Sequence, residues 1–237
     1  MASVRVGQIL PRVASPLTPP GELCDRLVAS CAQELPVTGV GMILMTDAGP
    51  AGTVAATDGA AATMEELQFG LGDGPCVECS RTGRPVLQAD LADTGPARWP
   101  LFTDGALEAG VRAVFALPLR VGGIRLGVLD LYRDHPGPLE EADLAEALHY
   151  ADAATSILLH LQSLEPLHPG GPLIPVVESR AEVHQATGVI AVEAGVSLSE
   201  AMALLRARAF AAGRPVLDLA RSVMAREVSF VDDGTTG

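Results

Sequence analysis

Apolar positions along the chain recur at two different periods, and these mark out its elements. Leu23, Leu27, Cys31 and Leu35 fall on one face at helical spacing, with Cys24 and Val28 beside them, which predicts a helix over 23–35. Runs rich in β-formers follow. VGMILMT (40–46) and TVAATD (53–58) read as strands on either side of the turn signal DAGPAG, and GRPVLQADL is a third candidate. The most definite pair is AVFALPLRV (113–121) and IRLGVLDLYR (124–133). A two-residue Gly122-Gly123 connection joins them, and such a link can take the positive φ values of a tight hairpin. Pro118 inside the first of these strands predicts an edge or a bulge there.

Helical spacing returns after Pro138. The segment 139–165 has an acidic first turn, which suits the positive end of a helix dipole. Its Ala147, Ala151, Ala154, Leu158 and Leu161 alternate by four and three. That spacing fits the seam of two paired helices or a helix lying flat on its own sheet, and leaves both open. Three shorter helices are predicted at the C-terminal end. Val183, Ala186, Ile190 and Ala194 share a face that stops at Gly195. Ser197 and Glu200 stand in capping-box spacing ahead of Met202, Leu205 and Ala209. Pro215 opens a third helix carrying Val216, Leu219 and Val223, expected to run to about Phe230. A bundle this small has little core of its own, which favours pairing with a second copy.

Composition narrows the class. The 237 residues are 48% hydrophobic, enough for packed cores. All 16 basic residues are arginine, a coding bias expected of a GC-rich genome rather than a functional signal. The net charge of −13 argues against indiscriminate binding to phosphate backbones. Residues 1–20 are broken by prolines and contain no signal-peptide core, and no apolar run approaches the ~18 residues of a membrane span. A cytoplasmic protein with reduced cysteines is expected. Residues 166–175 hold four prolines and two glycines, and the charge balance changes there from −11 over 1–175 to zero over 176–230. The expected organisation is therefore a flexible tail (1–20), an α+β domain with an antiparallel sheet (21–165), a linker (166–175), an all-α three-helix domain (176–230) and a short tail (231–237).

Candidate chemistry centres on GDGPCVECSRTG, where Cys76 and Cys79 stand in C-x-x-C spacing. A structural zinc site needs a second ligand pair. Cys24 and Cys31 would lie ~10.5 Å apart along a helix axis, beyond disulfide reach of each other, and are read as core residues. The βαβ context of a redox C-x-x-C is missing, so the stretch is expected to be a loop with Cys76 structural, a reversible Cys76–Cys79 disulfide being the alternative. The five histidines match no metal spacing, and no phosphate-binding loop, H-E-x-x-H or G-x-S-x-G element is present. No enzyme, metal or cofactor is implied.

The C-terminal sequence EVHQATGVIAVEAGVSLSEAMALLRARAFAAGRPVLDLARSVM resembles an ANTAR domain, the RNA-binding module of bacterial transcription antiterminators. The match rests on Gln185-Ala186-Thr187-Gly188, Gly195, Ala201, Leu204-Leu205-Arg206, Ala209, Leu217 and Ala220-Arg221-Ser222-Val223. The preceding region resembles a GAF domain through LQFGLGDGPC, RWPLF, GVRAVFALPLRVGG and LGVLDLYR. The resemblance implies a sensor of a small-molecule or protein signal. Coupled to it would be an output domain acting as a homodimer on paired stem-loops in nascent RNA. It implies RNA contacts from Gln185, Thr187, Gly188 and Arg206, flanked by Arg180 and Arg214. Many family members carry lysine where this chain has Thr187, which would remove about one phosphate contact per subunit. Cys76, Trp99, Phe102 and Phe115 are the candidate sensor-pocket residues. A DNA-binding helix-turn-helix around Gly195 is the competing output, although Leu198, Ser199 and Glu200 would make a poor reading head.

Overall fold

A computed structural model describes residues 2–15, 17–46, 49–57, 59–164, 173 and 180–230. The sheet runs in the order β2-β1-β5-β4-β3, every neighbour antiparallel. Its strands are β1 (Gly39–Thr46), β2 (Gly49–Ala56), β3 (Val86–Gln88), β4 (Ala113–Val121) and β5 (Ile124–Arg133). The predicted hairpin is β4–β5, with Gly122 at φ 57° in its turn. The second strand starts earlier than its sequence suggests, because Gly49–Gly52 pair with β1 and do not form the turn. Pro118 lies within β4, which has a neighbour on each side. However, β3 reaches only as far as Ala116, so β4 is locally the edge of the sheet at the proline.

Alternation along the strands feeds two cores. Met42, Phe115, Leu117, Leu129 and Leu131 face a helical layer of α1 (Ala2–Val13), α2 (Leu23–Glu34) and α7 (Glu141–Leu164). Ile43, Val114, Ala116, Val128 and Tyr132 face α3 (Ala60–Leu71), α4 (Pro75–Thr82), α5 (Leu91–Arg98) and α6 (Pro100–Glu108). The seam Ala147, Ala151, Ala154, Leu158 and Leu161 is buried within this first layer, so α7 lies on its own sheet.

Two sequence expectations are corrected here. Residues 1–20 are not simply a tail. α1 places Ile9 and Val13 in the core, with Val6 and Leu10 against it. Apolar positions at i, i+3, i+4 and i+7 give this segment a face to bury, which outweighs the hydrogen bond lost at Pro11. The cysteine stretch is a helix rather than a loop. Pro75 occupies its first turn, and Gly83, left-handed at φ 65°, ends it. The linker and the C-terminal tail fall outside the described residues apart from Leu173, which is buried against the first core.

The C-terminal bundle consists of α8 (Ala181–Ala194), α9 (Leu198–Ala211) and α10 (Val216–Met224). Gly195 stops α8 at φ 66°, and both reciprocal hydrogen bonds of the Ser197/Glu200 capping box start α9. The third helix ends at Met224, short of the expected Phe230.

Gly127 of β5 leaves no room for a side chain against β1. A Cβ added there would lie 2.3 Å from the Ile43 carbonyl oxygen, and backbone cannot yield locally. We predict that Gly127→Ala lowers stability by about 2–3 kcal/mol, read from the urea midpoint of unfolding.

Candidate functional site

The bundle core of Val183, Ala186, Ile190, Met202, Leu205, Leu219 and Val223 includes one residue from the sheet domain. Phe69, from the last turn of α3, is only 1% exposed and is packed among these side chains. Two arginines close over it. The Arg180 guanidinium stacks 4.1 Å from the Phe69 ring centroid and forms an ion pair with Glu66. Arg206 Nε donates to the Phe69 carbonyl oxygen at 3.1 Å. That carbonyl belongs to the C-terminal turn of α3, where a cation is favoured.

The sequence-predicted RNA residues therefore divide. Arg180, Arg206 and Arg214 line one cleft of about 540 Å³ between α3 and the bundle. Arg214 is exposed but tied to the Asp218 carbonyl and Ser222 Oγ. Gln185 is exposed on α8 and Gly188 has open space around it, both outside this cleft. Thr187 belongs to the bundle interior. It is buried, and its hydroxyl donates to the Val183 carbonyl at 2.7 Å. A threonine can close this bond within its own helix, so the residue supports packing and presents nothing to a ligand in this arrangement.

α3 also packs into the sheet domain. Glu65, Gln68, Asp130 and Tyr132 form a polar cluster in an apolar layer. Tyr132 Oη donates to Glu65 Oε1 at 2.9 Å, and Gln68 Nε2 donates to Tyr132 Oη at 3.1 Å. Gln68 Oε1 accepts from the Cys76 amide at 2.8 Å, joining α3 to α4. Both Asp130 carboxyl oxygens are buried with no hydrogen-bond partner among the described residues. Burial holds both carboxyls above the ordinary carboxylate range. At Glu65, pushed up to about 7, it outweighs the Tyr132 hydrogen bond and is helped by repulsion from Glu66, and at Asp130 it is helped by repulsion from Glu65. α3 thus carries both the bundle anchor, Phe69, and one member, Glu65, of a proton-holding pair completed by Asp130 of β5.

Composition could not identify Phe69, Glu66 or the buried cluster. The readable signal was in GVLDLYR, where alternation puts Asp130 on the same face as Val128 and Tyr132, a carboxylate amid core positions. Of the candidate pocket residues, Cys76, Trp99 and Phe102 are buried together beside this cluster. Phe115 is a correction: it lies on the other face of the sheet. A thiol switch also finds no support. Cys76 and Cys79 are fully buried, and desolvation raises both thiols, disfavouring the reactive thiolate.

Residues 18–158 match the GAF domain family and residues 176–224 match the ANTAR domain family. No curated protein matches the sequence. Among solved structures, the GAF domain of a phosphoenolpyruvate-protein phosphotransferase from Acinetobacter is similar, with a TM-score of 0.53 and 12% identity over 70% of this chain and 98% of that one. The GAF domain of the phosphoenolpyruvate-protein phosphotransferase from Coxiella burnetii has a TM-score of 0.51 and 18% identity, covering 68% of this chain and 95% of that one. At these identities the likeness is one of fold.

Two predictions follow from the buried cluster. The unfolded carboxyls lose their protons near the ordinary values of 3.8 and 4.5, while the folded pair retains protons to higher pH. The unfolded state thus binds fewer protons above those values, and stability falls as pH rises toward the raised folded values. Asp130→Asn should flatten this decline and gain about 1–2 kcal/mol over the parent at the alkaline end, measured by urea unfolding across pH. In native protein, iodoacetamide should label neither Cys76 nor Cys79, with both labelled after denaturation. Rapid native labelling of either would restore the thiol-switch reading.

Proposed function

We propose, for a chain that belongs to the GAF-domain family and carries an ANTAR domain behind it, that its output is RNA binding coupled to transcription antitermination. The domain pairing is that of a signal-responsive regulator, built from regulatory rather than catalytic modules. In this reading the bundle recognises stem-loops in nascent RNA, and two copies engage a pair of them. Action on nascent transcripts would place the protein in the cytoplasm. Among the described residues, no single helix is long and apolar enough to cross a membrane.

The observation that carries the reading is the state of Arg180 and Arg206. Both are candidate RNA contacts, and both are engaged by α3. Docked in this way, the bundle offers RNA only part of its proposed surface, with Gln185 and Gly188 open. A signal that disturbs α3 through Glu65 or Gln68 would release the arginines, which links the sensor to the output through one helix. The acidic chain would then bind a shaped loop in preference to bulk nucleic acid. Duplex DNA is the necessary comparison, because α8 and α9 are bent by 105°, within the range of helix-turn-helix pairs.

The test is affinity for an RNA with two adjacent short stem-loops against duplex DNA of equal length, at two salt concentrations. RNA should bind more tightly at both. Arg206→Ala should weaken RNA binding about tenfold or more. Glu66→Gln should tighten it about two- to fivefold, since an ion pair to an exposed carboxylate is worth up to about 1 kcal/mol. Equal or tighter binding to DNA would overturn the RNA reading.

A further inference from the structure

A second cleft, of about 320 Å³, opens where α9 lies across the sheet domain. The sheet domain lines it with Ser80, Arg81 and Arg125, and α9 with Ser199 and Arg206. Among its described lining residues there is no carboxylate. The 540 Å³ cleft differs in this respect, because Glu66 and Asp218 stand there beside the arginines.

Arg206 stands between the two clefts and is incompletely satisfied. Its Nε is engaged by Phe69, but Nη2 is buried and donates to nothing among the described residues. Burial pushes the guanidinium down to about 10, so it remains charged at neutral pH, and it forms no ion pair among the described residues. An uncompensated buried cation is costly, and an oxyanion within reach would relieve it. Arg81 makes no ion pair among the described residues. Guanidinium forks match oxyanions in geometry, and the Ser80 and Ser199 hydroxyls could donate to the same group. The Arg81 and Arg206 guanidinium groups and two hydroxyls offer more donors than the two oxygens of a carboxylate use. A phosphate, with three terminal oxygens, suits them better, and the volume leaves room for a small polar body.

We propose that this cleft, framed by Arg81, Arg125 and Arg206 with Ser80 and Ser199, binds a small phosphomonoester at the junction of the two domains. Because each domain supplies part of the site, the ligand binds the docked arrangement better than an undocked one. By linkage it then opposes any process that needs Arg206 free. That direction of regulation rests on the RNA reading above; the anion site itself does not.

The probe is inorganic phosphate, titrated calorimetrically into the full-length protein at ionic strength matched with chloride. Saturable one-to-one binding is expected, with a Kd of about 1 mM or tighter. Arg81→Ala, at an exposed position, should weaken it about tenfold or more. Arg26→Ala should leave it unchanged, since Arg26 lies on α2 and is paired with Glu22. Absence of saturable binding, or equal affinity in Arg81→Ala, would overturn the site.

A second arm measures stem-loop RNA affinity with and without phosphate. Phosphate should weaken RNA binding to the parent protein but not to Arg81→Ala, whose affinity without phosphate should equal the parent's. If Arg81→Ala itself weakens RNA binding in the absence of phosphate, the cleft is part of the RNA backbone track and the effector reading falls. A protein that binds no RNA would sink the RNA reading alone, leaving the calorimetry to decide the anion site.

Discussion

The domain arrangement depends on the burial of one aromatic ring. Phe69 grows from the sheet domain, but its side chain completes the core of the C-terminal bundle. A bundle of three short helices has too little apolar volume to be generous with its own stability, so a ring contributed from outside counts for much of it. The two arginines that close over Phe69 make the contact polar at its rim and direct it at the end of α3. The same helix carries Glu65 and Gln68 into a cluster held by Tyr132 and the Cys76 amide. Sensor interior and output core are therefore linked through a single α3, Gln68 entering one and Phe69 the other. A helix packed against both cores is the physical basis for the coupling proposed above.

The long strands, α2, α7 and the bundle were legible in the sequence, for reasons that can be named, whereas α3, α5 and α6 were not read from it. The β4–β5 hairpin was marked by Gly122-Gly123 between β-branched runs, and the bundle by Gly195, the Ser197/Glu200 box and Pro215. These are local signals, and their geometry is decided within a few residues. The misreadings share the opposite cause. α1 forms because α7 is there to cover Val6, Ile9 and Val13, a partner more than a hundred residues away. Around Cys76, the Gly-rich approach suggested a loop. Gly74 and Pro75 instead start a helix whose first amide is met by Gln68 of α3.

The site was legible only in part, and the split follows the same line. Arg180, Arg206 and Arg214 were named from the resemblance, and the structure brings them to one cleft. That two of them are held by Glu66 and Phe69 could not be read, because an exposed-looking Glu and a lone Phe in ELQFG carry no mark of a distant partner. Thr187 appeared as a missing contact when judged by residue type alone. Its place beneath Met202 makes it a packing residue. Phe115 shows the limit of alternation from the other side, since one position of register decides which face of a sheet a side chain meets.

The central claim is that α3 holds the bundle and must let it go for the output to act. Hydrogen–deuterium exchange of the full-length protein, with and without the two-stem-loop RNA, tests it most directly. The account predicts that bound RNA accelerates exchange over the last turn of α3, residues 66–72, because Phe69 leaves the bundle and Arg206 no longer covers the helix end. Exchange in that turn that stays equal or slows when RNA is bound would mean the bundle works without leaving α3, and the account would be wrong.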